Sequence, residues 1–409
     1  MNKTILQHTF SNGLRLIYLP WNTTVAHAGV FVAAGSRNET EKEQGLAHFI
    51  EHTIFKGTSR RSSAEILKRL ESVGGELNAY TEREETAIYA SFLPQYSFRA
   101  LDLLSDVIFN AVFPEKELEK EKEVVIDEID SYLDTPSEQI FDDFEEYIFP
   151  NQPFGKNILG TPEKVRSFTQ QQILHFTQNL YQPERIVVSY VGKVPFRTIL
   201  NYVERLFDRP NLIKEHKIQP ALHSKKFDLT IQKPIHQAHC ILGGIAPCIA
   251  SNDRFTMSLL NNYLGGPAMS SLLNMVLREK NGFTYNNESH YSAYSDTGIF
   301  QIYLGTEKRN LKKCLRLIAK ELDKLCKKPL STTFLHKIQK QYCGQIAIAS
   351  DSGLNQMISI GKSLLHTGTV IEMEEMFVKI ENISSSHIMD VANQYLHFDK
   401  LSILSYISE

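Results

Sequence analysis

The sequence predicts an α+β protein made of two similar units, and three observations carry that expectation. Short alternating or apolar runs of strand length are interspersed with longer stretches of helical period. The same order of strand, helix and strand recurs loosely in the two halves of the 409 residues. Between the halves, residues 211–226 are polar and aperiodic and read as a linker, which divides the chain into domains at 1–210 and 227–409.

The elements follow in order. Residues 14–19 and 26–33 have strand patterns, the second ending at Gly35-Ser36. A helix is expected over about 43–55. Another spans 63–73, with Ser62 or Ser63 as its N-cap and Gly74-Gly75 as its stop. Residues 78–92 read as strand, with Ile88, Ala90 and Phe92 alternating. Helices follow at 96–110 and 114–133, and Pro114 suits the first turn of the latter. Residues 186–191, closed by Gly192, have the apolar run of a buried strand. In the second half, 227–231, 239–246 and 298–304 read as strands. Residues 253–264 and 311–327 read as helices, the first stopped by Gly265-Gly266.

Composition narrows the function. A net charge of −3 argues against a nucleic-acid binder, which needs a strongly basic face. No apolar run approaches membrane-spanning length, and the N-terminus lacks a signal-peptide pattern, so a cytoplasmic protein without membrane partners is expected. The cysteines Cys240, Cys248, Cys314, Cys326 and Cys343 are odd in number and have no C-x-x-C spacing, so they are expected to be free buried thiols.

The most informative stretch is His48-Phe49-Ile50-Glu51-His52. On a helix, positions i and i+4 share a face, so both imidazoles can address one zinc ion. Glu51 falls on nearly the same face, where a carboxylate can take a proton from a zinc-activated water during attack on a carbonyl. The order H-x-x-E-H is a peptidase signature. Its bland alternative is a helix carrying two solvated or core histidines.

A third ligand is sought in the helix at 114–133. Leu118, Glu121, Val125, Glu128 and Tyr132 recur at spacings of three and four, so they share one stripe, expected to face the interior. Two carboxylates there need a partner, because an unpaired buried charge is costly. A zinc ion with its histidines would supply one. Glu119 and Glu123 read as solvated. Helical phase does not choose between Glu121 and Glu128.

With these motifs in view, the chain resembles the pitrilysin, insulinase and mitochondrial processing peptidase family, the inverzincins, over essentially its whole length. Gly45-Leu46-Ala47 before the motif, and Phe55-Lys56-Gly57-Thr58 after it, resemble that family's metal helix. The resemblance implies a single zinc ion held by His48, His52 and Glu128, with Glu121 supporting the site. It implies that Asn78 and Ala79, within Gly74–Thr81, bind the backbone of an extended peptide by β-augmentation. It further implies that Arg278 and Tyr285 bind the substrate carbonyl and stabilise the oxyanion. The family's fold would give each domain a mainly antiparallel sheet packed with helices, the processing-peptidase-like metallohydrolase fold. Chains of this length imply a homodimer that encloses a chamber, in which a zinc-dependent endopeptidase hydrolyses unfolded peptides. One departure is Gly265-Gly266-Pro267-Ala268-Met269-Ser270-Ser271-Leu272, where the family's glycine-rich stretch has no inserted residue and carries an arginine. Two rival readings are a non-catalytic partner subunit of a heterodimeric peptidase, and a zinc hydrolase or lyase acting on a small molecule.

Overall fold

The structure is a computed structural model that describes residues 4–211 and 226–409; the expected linker falls, over 212–225, outside the described residues. Its first sheet has six strands: β1 (Leu6–Thr9), β2 (Arg15–Pro20), β3 (Ala26–Val32), β4 (Glu76–Thr81), β5 (Thr86–Phe92) and β6 (Ile186–Gly192). They lie in the order β1-β2-β6-β3-β5-β4, with β2 and β6 parallel and the other neighbours antiparallel. The second sheet contains β7 (Asp228–Lys233), β8 (Ala238–Ala246), β9 (Thr284–Ala293), β10 (Gly298–Thr306) and β11 (Ser402–Ser408). Its order is β7-β11-β8-β10-β9, again with one parallel pair, β7 and β11. Without β1 the two sheets match strand for strand, parallel pair included. The duplication legible in the sequence is a duplication of topology, and the fold is α+β as expected.

The expected strand over 78–92 is a hairpin instead, formed by β4 and β5. Glu82-Arg83-Glu84-Glu85 interrupts the alternation, and the Glu82 N–H closes the turn on the Glu85 carbonyl at 2.8 Å. Five helices concern the site: α1 (Leu46–Thr53), α2 (Ser63–Glu71), α3 (Ser97–Asn110), α4 (Glu115–Leu133) and α5 (Pro136–Ile148). α1 is shorter than the expected 43–55 because Gly45, at φ 92°, adopts a left-handed conformation that no helix continues through. α2 starts on a capping box between Ser62 and Glu65 and is followed by Gly74 at φ 75°.

The chain divides into two compact units: Met1–Asp130, Lys156–Gln219 and Ile348–Val370 form one, and Ser131–Gly155, Pro220–Ala347 and Ile371–Glu409 the other. In the first unit, one sheet face packs Leu16, Val30, Ile88 and Val188 against α1 and α3. Its opposite face, with Ile17, Phe31 and Val187, is covered by Met357, Ile360 and Leu364 of the helix Gly353–Thr367. The approach is close: a Cβ on Gly361 would lie 2.4 Å from the Phe31 ring. In the second unit, Leu242, Phe300 and Ile302 pack on the helices Asp253–Gly265 and Leu311–Lys327. The opposite face, with Ile241, Leu404 and Tyr406, is covered by Ile140, Phe144 and Ile148 of α5. A sheet that is apolar on both faces must be covered on both, and in each unit one cover comes from far along the chain.

The five cysteines are free, four of them buried and Cys248 partly so. Among the described residues no helix is long and apolar enough to cross a membrane.

Candidate metal centre

The centre is built on α1. Its first-turn amides, which have no partners within the helix, donate to Glu39: Gly45 N–H at 2.9 Å and Ala47 N–H at 2.7 Å. Burial pushes the Glu39 carboxyl well above its usual range, against the opposing pull of these two bonds. Leu46, Ala47, Phe49 and Ile50 are fully buried in the first core. That anchoring leaves His48, Glu51 and His52 at the border of the core.

The His48 and His52 rings are 4.7 Å apart at an angle of 70°. Glu128 Oε2 lies 3.2 Å from His52 Nε2 and 3.8 Å from His48 Nε2. One donor atom from each of the three residues falls within 4.8 Å of the others. Zinc bonds of about 2.0–2.1 Å in a tetrahedron put donors roughly 3.4 Å apart, with one position left open in a catalytic site. The observed separations bracket that value, and two imidazoles with a carboxylate are a zinc donor set, so the residues fit the ion. Burial, then the neighbouring His52, lowers the His48 pKa to about 4. A neutral imidazole is the form that binds metal.

The surroundings of Glu128 differ from expectation. Its side chain is 46% exposed, because the buried residues of α4 are Leu118, Lys122, Val125, Ile126 and Ile129. The apolar stripe passes beside Glu128, which sits at the open rim, whereas the Glu121 side chain, 13% exposed, is largely buried as expected. Glu121 is 3.7 Å from His52 Nδ1, beyond hydrogen-bond distance, and pairs with Lys56 at 2.6 Å. Burial raises the Glu51 pKa, partly offset by hydrogen bonds from the side chain and backbone of Thr81.

Thr81 ends β4, the edge strand of the first sheet, which packs against α1. On β4, Asn78 is exposed and Ala79 half-buried; they face Tyr89 and Ile88 of β5. Their other side has no strand partner among the described residues. Arg278 and Tyr285 belong to the second unit and lie outside the His–His–Glu group. Arg278 is exposed on the short helix Asn274–Glu279. Tyr285, 71% exposed, stands on β9, the edge strand that corresponds to β4. The segment 265–272 follows the helix Asp253–Gly265 and, with Arg278 and several asparagines, lines a cavity of about 530 Å³. Sequence reasoning missed Glu39 as a neighbour of the site and gave Lys56 and Thr81, though inside the family motifs, no role of their own, because none of them lies on the periodic face of the metal motif.

Known proteins resemble this chain along most of its length. Residues 18–162 match the family described as insulinase (peptidase family M16), and residues 167–342 match the peptidase M16 inactive domain. A Bacillus subtilis protein named "Uncharacterized zinc protease YmxG" is 32% identical over 95% of each chain. The mitochondrial-processing peptidase subunit beta of Saccharomyces cerevisiae is 27% identical, over 96% of this chain and 89% of that one. A protease from Helicobacter pylori, known from its crystal structure, shares the fold with a TM-score of 0.90 at 22% identity over 99% of each chain. With the His48–His52–Glu128 arrangement and these relatives together, the chain belongs to peptidase family M16, the insulinase family.

Proposed function

We propose that this protein is a zinc-dependent endopeptidase that hydrolyses extended, unfolded peptides inside a homodimeric chamber. The carrying observation is the convergence of His48, His52 and Glu128 beside Glu51, at the end of an edge strand whose outer side has no strand partner among the described residues. A zinc ion held by those three residues supplies Lewis acidity and lowers the pKa of water toward neutrality. Glu51 takes the proton of the attacking water and later delivers it to the leaving amine. Asn78 and Ala79 hold the substrate backbone as an added strand, which places its carbonyl beside Glu51. Arg278 and Tyr285, exposed on the second unit, bind that carbonyl and stabilise its developing charge. Glu121, paired with Lys56, supports the site by placing a carboxylate beside His52. The edge strand favours a peptide over a small molecule as substrate.

The deciding experiment pairs metal analysis with digestion of an unstructured peptide mixture, wild type against Glu51→Gln. Expected are zinc in both proteins and cleavage by the wild type. A zinc-loaded wild type that cleaves nothing would instead support a non-catalytic partner subunit. The dimer is tested by mixing Glu51→Gln with Arg278→Ala subunits. Recovered activity supports a site shared between copies; activity no higher than either variant alone rejects it.

A further inference from the structure

The turn of the β4–β5 hairpin is built in an unusual way. Turn residues normally face water, yet Arg83, Glu84 and Glu85 are 4%, 7% and 1% exposed. Buried charges persist when they are paired and hydrogen-bonded. Glu84 pairs with Arg37 at 2.5 Å. Glu85 accepts hydrogen bonds from Tyr80 Oη at 2.8 Å, from Lys362 Nζ at 2.9 Å and from His366 Nε2. Lys362 also reaches Glu82 at 2.9 Å and lies 5.5 Å from the centre of the Tyr80 ring. Lys362 and His366 are one turn apart on the helix Gly353–Thr367, the same helix that covers the back of the first sheet.

We propose that Tyr80, Glu85, Lys362 and His366 form a clasp that holds the edge strand in register for peptide pairing, with Tyr80 and Glu85 as positioning residues. The proposal rests on the peptidase reading above. Tyr80 follows Ala79 and precedes Thr81, which touches Glu51, so its phenol is bonded at the point where substrate pairing meets the proposed base. An edge strand is bonded to one neighbour alone and frays more readily than a central one. A side-chain tether from its end to a packed helix removes that freedom before substrate arrives, and a pre-ordered strand binds more tightly. The strand half of the clasp comes from residues 80–85 and the helix half from residues 362–366, so two segments distant in sequence jointly shape the binding edge.

The test uses the zinc-loaded full chain with reduced, carboxymethylated casein as the unfolded substrate. Tyr80→Phe removes the tether's hydroxyl while leaving Glu85 paired with Lys362 and His366. It should raise KM about three- to tenfold, the range of one net hydrogen bond. The kcat and zinc content should hold within about twofold, and Tm should shift by no more than about 2 °C. Hydrogen exchange at the amides of residues 77–81 should quicken about tenfold. His366→Gln should move KM and exchange in the same direction. Unchanged KM and unchanged exchange in Tyr80→Phe would overturn the clasp, as would a fall of kcat and Tm together without a change in KM. If the wild type does not cleave casein, the peptidase reading fails, and the exchange measurement still decides whether the strand is tethered.

Discussion

Apart from β1 the two units carry matching strands in the same order, yet among the described residues the candidate metal-binding group lies in one of them. Between β3 and β4 the chain inserts α1, with His48, Glu51 and His52. Between β8 and β9, at the corresponding place, it inserts the helix Asp253–Gly265, whose sequence has neither histidine nor glutamate. That helix buries Met257, Leu259, Leu260 and Leu264 in the second core and turns Asn261 and Asn262 toward the cavity. The edge strands differ as well: β4 ends at Thr81 against Glu51, whereas β9 presents an exposed Tyr285. A duplicated scaffold therefore does not duplicate its candidate site, which combines the helix inserted between β3 and β4 with Glu128 of α4.

The largest effect should come from breaking the asymmetry at its centre. Glu51→Gln should lower peptide cleavage by about 10²- to 10⁴-fold, the contribution of a positioned proton acceptor. Zinc content should stay at one per chain, whereas His52→Ala should lose the metal; mass spectrometry of the metal alongside a cleavage assay checks both. Full cleavage by Glu51→Gln would remove Glu51 from the mechanism.

A second comparison concerns the helices that reach each sheet from far along the chain. Met357→Ala in the first unit and Phe144→Ala in the second each empty a fully buried position. Each should cost about 2–5 kcal/mol, from lost burial plus the cavity left behind. Calorimetric unfolding measures the loss. A large effect at Met357 with almost none at Phe144 would show that the two units do not depend equally on their distant helices.

The smallest effect is a pH dependence. Burial acts to raise the Glu85 pKa, but His366 and Lys362 outweigh it and hold the carboxyl below its usual range. A depressed folded-state pKa stabilises the protein above the unfolded pKa of about 4.3 and stops doing so as pH falls through the folded value. Glu85→Gln should thus narrow its stability gap to the wild type as pH drops below about 4.3. Thermal melts from neutral to acid pH test this; a gap that widens at low pH contradicts the assignment.

Much of the site was legible because it is local. His48 and His52 are four residues apart, and helical geometry alone puts them on one face. Glu128 was less legible, since helical phase could not separate it from Glu121. In the structure Glu128 approaches both histidines while Glu121 is taken up by Lys56. Residues 78–92 read as one strand in the sequence because the turn of the hairpin is charged instead of glycine-rich. Buried pairing of Glu84 and Glu85 compensates for the missing turn chemistry.

By itself the sequence determined the metal motif, the strand and helix segments around it, and the repetition of an α+β order, all properties of short range or of periodicity. Tertiary structure alone decided which helix covers which sheet. The apolar face of the helix Gly353–Thr367 shows that it must be buried, but hydrophobic burial is non-directional and names no partner. The choice depended on shape: Gly361 lets the helix approach Phe31, and Lys362 and His366 meet Glu85. The buried clasp at the edge strand exists because residues 281 positions apart were brought together by that packing.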